Sequence, residues 1–142
     1  MKPFDYYLNN KNVRKISKDI ELAKSLKKDL FERAEKALKL DQNEFAKLIF
    51  ESVYDSLREF CDVLLAIDGY KSYSHEASIC YLKNYNFNDS EIFTLDRYRY
   101  KRNGSKYYGK PINKEDAEEI KKFYKEVLDK INNILDKKLD NK

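Results

Sequence analysis

The residues with the most chemical potential lie in 97-RYRYKRNGSKYYGK-110. There Arg97, Arg99, Lys101, Arg102, Lys106 and Lys110 are interleaved with four tyrosines and no acidic residue. The chain holds 29 basic and 25 acidic residues, formally +4, and without those six cations it would hold 23 against 25. The positive excess of the whole protein is thus concentrated in a tenth of its length. On a helix, Arg99, Arg102 and Lys106 stand three and four residues apart and project from one face, with Asp96 one turn before Arg99 to hold it in place. Guanidinium forks arranged in this way suit phosphate oxygens, which they bind bidentately. Tyrosines between them can stack on unpaired bases, a mode that favours single-stranded RNA over duplex. The plainer alternative is a solvated charged face with Tyr98 and Tyr100 packed in the core, and composition leaves both open.

Few other residues compete for a chemical role. His75 is the single histidine. It stands near the start of a short helix, either as a cap or facing the arginines across the bundle. Asn103-Gly104 marks a turn or a backbone loosened beside a site, since glycine inside a helix costs roughly 1 kcal/mol relative to alanine. Glu59 can position an arginine, although an exposed helical glutamate is the simpler reading. Cys61 and Cys80 have neither CxxC nor metal-ligand spacing and read as buried free thiols.

The elements that must position these residues are helical. Three glycines and two prolines in 142 residues, with 38% charged side chains, point to long helices in one domain with its core between about residues 12 and 135. Val13, Ile16, Ile20, Ala23, Leu30, Ala34 and Ala37 share a stripe, widened by Leu22, Leu26 and Leu38, which predicts one helix over 12–40. Asp41-Gln42-Asn43 is a turn with capping residues. Phe45, Ile49, Val53, Leu57, Phe60, Leu64 and Leu65 predict a second helix from about Glu44, closed by Gly69. A short helix over 74–82, capped by Ser72 or Ser74, precedes a loop at 84–89. A further helix begins at Ser90 behind Asn88 or Asp89 and contains the basic stretch, with Lys110-Pro111-Ile112-Asn113 breaking it. Asn113 and Asp116 form a capping box for the last helix, marked by Ile120, Phe123, Val127, Ile131, Ile134 and Leu135, and the terminal KKLDNK is expected to fray. The expected fold is all-α: an up-and-down four-helix bundle with an additional short helix. Long helices leave apolar surface that a homodimer would cover. No apolar run approaches the ~20 residues of a membrane span, and the N-terminus lacks a secretory pattern, so a cytoplasmic protein without membrane contact is expected.

With helices in this number and order, the segments 69-GYKSYSHEASICYL-82 and 97–109, ending in RNGSKYYG, resemble the HEPN domain (higher eukaryotes and prokaryotes nucleotide-binding) over roughly residues 12–135. The hallmark of that family is an arginine, often followed by a polar residue, then four to six residues and a histidine. Many members are metal-independent ribonucleases in which a dimer brings two such motifs into one cleft. Others bind nucleotides, or form the toxin of a pair with a minimal nucleotidyltransferase, whose AMP is attached to a tyrosine two residues after the histidine. By this resemblance Arg102-Asn103 matches the arginine-polar pair and Lys106-Tyr107-Tyr108 the histidine-x-tyrosine element, with lysine where the family has histidine. The spacing departs as well: Arg102 precedes Lys106 by three intervening residues and Arg99 by six.

Cleavage of RNA without a metal needs a base for the 2′-hydroxyl proton and cations for the phosphorane charge. Arg99 and Arg102 answer the second need. For the first, lysine is protonated at neutral pH unless other cations crowd it, and tyrosine titrates near 10. The resemblance therefore implies Arg102 and Lys106 as catalytic candidates, and His75, the single histidine, joins them by its chemistry. The resemblance gives Arg99, Arg102, Asn103, Lys106 and Tyr108 as RNA or nucleotide contacts, Tyr107 or Tyr108 as a modification target, and no metal or cofactor. The alternative function is a non-catalytic module whose basic cleft docks a partner such as the nucleotidyltransferase.

Overall fold

A computed structural model describes residues 1–140. Helices dominate it: α1 (Phe4–Asn9), α2 (Ile20–Leu38), α3 (Ala46–Asp68), α4 (His75–Cys80), α5 (Asp89–Tyr108) and α6 (Lys114–Leu135). A 3-10 turn, Tyr81–Tyr85, follows α4, and a π-helical turn, Asp136–Asp140, extends α6. Two three-residue strands, β1 (Val13–Lys15) and β2 (Tyr70–Ser72), pair antiparallel with Val13 opposite Ser72. The four long helices expected from the apolar stripes are present. Two short helices and a two-stranded ribbon accompany them.

The centre of the molecule is α3, which packs against α2, α6, α5 and α4. Its apolar stripe is wide, and Ile49, Phe50, Val53, Leu57, Phe60, Leu64 and Leu65 are all buried. Gly69 ends it with φ +85, a left-handed cap that a side chain would strain. A Cβ there would also stand 2.7 Å from the carbonyl oxygen of Ile16. That approach is used: the Ile16 N–H donates to the Gly69 carbonyl at 2.8 Å, and the Asp19 N–H to Ala66 at 2.9 Å.

These contacts explain why residues 12–40 are not one helix. The first residues of the stripe, Val13 and Ile16, lie on or beside β1, and α2 starts only at Ile20, where the Asp19 carboxylate caps the Leu22 N–H. Ala23, Leu30, Ala34 and Ala37 are buried as the spacing requires, while Leu22 is exposed. Other boundaries also move. The second helix starts at Ala46, and the expected loop at 84–89 is partly the 3-10 turn, ended by Asn86 at φ +65. Ser74 caps α4, and capping boxes at Asn88–Glu91 and Asn113–Asp116 fix the starts of α5 and α6, each worth about 1 kcal/mol. Asn103-Gly104 does not interrupt α5. The helix runs to Tyr108 and stops at Gly109, with φ +64, where the Gly109 and Lys110 N–H groups both turn back to the Gly104 carbonyl. The side chain of Lys110 fills the space above Gly104, 3.3 Å from where a Cβ would be. The chain end does not fray as expected either: Leu139 is buried in the core, while Asn141 and Lys142 lie outside the described residues.

Candidate anion-binding site

The basic stretch divides between the flanks of α5. Successive residues turn 100°, so Arg97 and Lys101 fall on one flank and Arg99 on the other, with Arg102 nearer the core. Arg97 meets Glu119, and Lys101 Nζ donates to Asp116 Oδ1 at 2.6 Å, tying α5 to α6. Tyr98 is buried on this side, with its hydroxyl donating to Glu119 at 2.7 Å. Arg99 and Arg102 instead face α4 and α3. Arg99 Nε donates to Asp96 Oδ1 at 2.7 Å and its terminal nitrogen to Glu76 Oε2 at 3.1 Å. Glu76 also accepts the Tyr7 hydroxyl at 2.6 Å, which with desolvation raises that hydroxyl's pKa. Arg102 reaches Asp55 of α3 at 3.4 Å, a long contact for an ion pair.

A third guanidinium arrives from α3. Arg58 donates to Asp62 at 3.2 Å, one turn along the same helix, and Asp55, Arg58 and Asp62 form a charged stripe on the most buried helix of the fold. Partial desolvation lifts the Asp62 pKa to about 6, with Arg58 offsetting part of the rise. His75 opens α4 and is solvent-exposed in the field of this cluster. Desolvation first, then the charges of Arg58 and Arg102, lower its pKa from the ordinary 6.5; Asp55 opposes them and Arg99 adds to them. The imidazole is therefore neutral at pH 7, the form able to accept a proton.

Hydrogen-bond accounting singles out this place. Among the described residues, three buried side-chain polar atoms have no partner: Tyr54 Oη, Arg58 Nε and Arg102 Nε. All three belong to it, since Tyr54 lies in the field of Arg58 and Arg99. A buried donor without an acceptor costs about 1–3 kcal/mol, and native structures show few of them. The exposed parts of the Arg58 and Arg102 guanidinium groups can donate to an anion with several oxygens, and the neutral imidazole in their field can accept a proton.

Of the residues singled out from the sequence, His75, Arg99 and Arg102 come together. Lys106, Tyr107 and Tyr108 do not join them: they are exposed on the last turns of α5, with Lys106 Nζ 5.4 Å from the Tyr107 ring centre. Asn103 is half-buried between these groups. Tyr100 is exposed too, and Arg99 stacks on its ring at 4.6 Å. Glu59 is not an exposed glutamate: it is mostly buried and holds Arg33 of α2 at 2.8 Å. Both cysteines are free and buried, as expected. The residues that sequence reasoning missed are Asp55, Arg58, Asp62 and Glu76. Asp55, Arg58 and Asp62 stand three and four apart on α3, but Lys47, Glu51, Glu59 and Asp68 charge the same helix, so spacing alone does not single them out.

Among the described residues no group of three or more His, Cys, Asp or Glu side chains could hold a metal ion, and no helix is long and apolar enough to cross a membrane. No family model, curated protein or solved structure matches the chain.

Proposed function

We propose that this protein is a HEPN-like helical bundle that binds RNA or a nucleotide phosphate at Arg58, Arg99 and Arg102, in whose field His75 lies. In this reading it cleaves RNA without a metal, as the toxin-like half of a pair with a minimal nucleotidyltransferase. The observation that carries the proposal is that Arg58 and Arg102 each hold a buried guanidinium N–H without a partner and that His75 lies in the field of both. Neutral His75 takes the 2′-hydroxyl proton. The 2′ oxygen attacks the adjacent phosphorus, and Arg58 and Arg102 stabilise the negative charge that builds on the phosphorane. The bond to the 5′ oxygen then breaks, leaving a 2′,3′-cyclic phosphate, and the departing oxygen takes a proton from solvent. His75 thus assumes the role for which the family pattern has a histidine at the position of Lys106, and Lys106 becomes an outer contact for the RNA backbone. A second copy of the chain would cover the remaining apolar surface.

The test is cleavage of single-stranded RNA in the presence of a chelator by wild type, Arg102→Ala and His75→Ala. Loss of cleavage in both variants, with binding weakened in the first and kept in the second, supports the assignment. Equal traces of cleavage from all three proteins would mean a contaminating nuclease.

A second reading rests on a different observation: Tyr107 and Tyr108 are 65% and 78% exposed where α5 ends. That suits modification by a partner nucleotidyltransferase, with the bundle as a non-catalytic module. Intact mass after incubation with that enzyme and ATP would show one added AMP, abolished by Tyr108→Phe.

A further inference from the structure

A cavity of about 800 Å3 lies beside the arginine cluster, between α1, the 3-10 turn and the first turns of α5. Part of its wall is aromatic. Phe4, Tyr70 and Tyr81 form a mutually packed set with ring centres 4.6–5.8 Å apart. Phe93, 64% exposed on α5, stands at its edge. Three carboxylates share the lining with Lys2 and Lys83: Asp5, Asp89, paired with Lys83 at 3.3 Å, and Asp96, whose Oδ1 is the acceptor for Arg99. Asp96 therefore belongs to both places. From Phe93 through Asp96 to Arg99 the cavity and the cluster follow one another on consecutive turns of α5, each turn rising about 5 Å.

We propose that the cavity is a binding site for a nucleobase with an exocyclic amino group, adenine above all. The site deepens the reading given above, on which it rests for the phosphate: the base occupies the aromatic cavity while its phosphate meets the arginines. Flat aromatic walls favour a flat ring, and stacking on Phe93 tolerates any base. The carboxylates make the choice among bases, because they accept from an amino group and repel a carbonyl oxygen at the same position. The volume falls in the range of sites for small organic ligands, roughly 300–1,000 Å3, and leaves room for the ribose that joins base to phosphate. An apolar ligand would gain the rings and leave the carboxylates unused; a simple cation would use the carboxylates and leave the rings.

Nucleosides test the cavity separately from the arginines because they carry no phosphate. The chain has no tryptophan, so in a Phe93→Trp variant all indole fluorescence reports from the cavity edge. Adenosine should give a saturable change in that emission. Inosine, which has a carbonyl in place of the amino group, should bind about tenfold more weakly, the loss of one good hydrogen bond. Inorganic phosphate should leave the signal unchanged. On the unlabelled protein, saturation-transfer NMR should detect adenosine, and Phe93→Ala should weaken it by a similar factor; at 64% exposure this residue is not needed for folding. No saturable response to adenosine by either method, or equal affinity for adenosine and inosine, overturns the proposal. If adenosine binds while Arg102→Ala leaves RNA affinity unchanged, the cavity stands and the phosphate reading falls. If RNA binding depends on Arg102 and adenosine is silent, the cavity proposal alone falls.

Discussion

Arg102→Ala is the most informative single change, because the structure makes its effect on folding small and its effect on binding large. In the free protein Arg102 reaches Asp55 at only 3.4 Å, a pair at the weak end of the usual 0–1 kcal/mol. Its buried Nε, without an acceptor, opposes that gain by about 1–3 kcal/mol. Removing the side chain should therefore leave stability unchanged or slightly raised. In the complex, charge-assisted bonds from the guanidinium to a phosphate are worth about 1.5–3 kcal/mol, so affinity for single-stranded RNA should fall roughly 10- to 150-fold. The slope of log affinity against log salt should flatten by about 0.7 for the one phosphate released. Arg99→Ala is the wrong control: that side chain is 14% exposed and holds Asp96 and Glu76 together, so its loss strands two carboxylates and costs about 3–5 kcal/mol of stability. The assay is fluorescence anisotropy of a labelled oligonucleotide over a salt series, with a urea melt of each protein. An Arg102→Ala protein with wild-type stability, wild-type affinity and an unchanged salt slope would refute the assignment of this residue to an anion.

Other consequences follow from single observations. Cleavage by neutral His75 should rise with pH through a midpoint below 6.5 and be level by neutrality; a rate profile still climbing above pH 8 would identify a lysine or tyrosine base instead. Gly69→Ala should lower stability by more than about 1 kcal/mol in a urea melt, since a left-handed backbone and the Ile16 carbonyl both oppose a Cβ; a neutral result would mean that the turn relaxes. Asp62 has a folded pKa of about 6 against an ordinary 3.8. It therefore contributes stability below pH 4 that is lost as pH rises through about 6. Asp62→Asn should exceed wild type in stability at pH 7 and converge on it by pH 4, and a gap independent of pH would rule this out.

The long helices were legible because burial imposes a 3.6-residue period on α2, α3 and α6, and because Gly69, Asn88 and Asn113 mark ends by local chemistry that operates wherever they occur. The ribbon was not. Three residues are too few to display alternation, and β1 exists because β2 supplies its hydrogen bonds from more than fifty residues away. Val13 fits a helical stripe equally well until that partner is known. The same holds for the site. Arg99 and Arg102 were visible as a dense charge run, but spacing alone put Lys106 with them and could not foresee that Arg97 and Lys101 turn to α6. Arg58 carries no mark in the sequence beyond being one charge on an amphipathic helix. Its importance comes from the packing of α5 and α4 on α3, which no local pattern encodes.

That packing gives the cluster a pH response that separates binding from chemistry. At neutrality Asp62 is ionised beside Arg58 and His75 is neutral, so carboxylates cancel much of the guanidinium charge. As pH falls through about 6, Asp62 takes a proton and stops neutralising Arg58; His75 gains its own charge below the ordinary 6.5, because desolvation and the neighbouring arginines hold its pKa down. Both changes make the cluster more positive, so the affinity for RNA should increase in acid. Cleavage should do the opposite, since protonated His75 cannot accept the 2′-hydroxyl proton. Binding and turnover measured on one RNA between pH 5 and 8 should therefore diverge, with the tightest complex where the rate is lowest. Asp62→Asn should remove part of the increase in affinity without shifting the midpoint of the rate. If affinity and rate instead rise and fall together, one group governs both, and the division of labour between the arginines and the histidine is wrong.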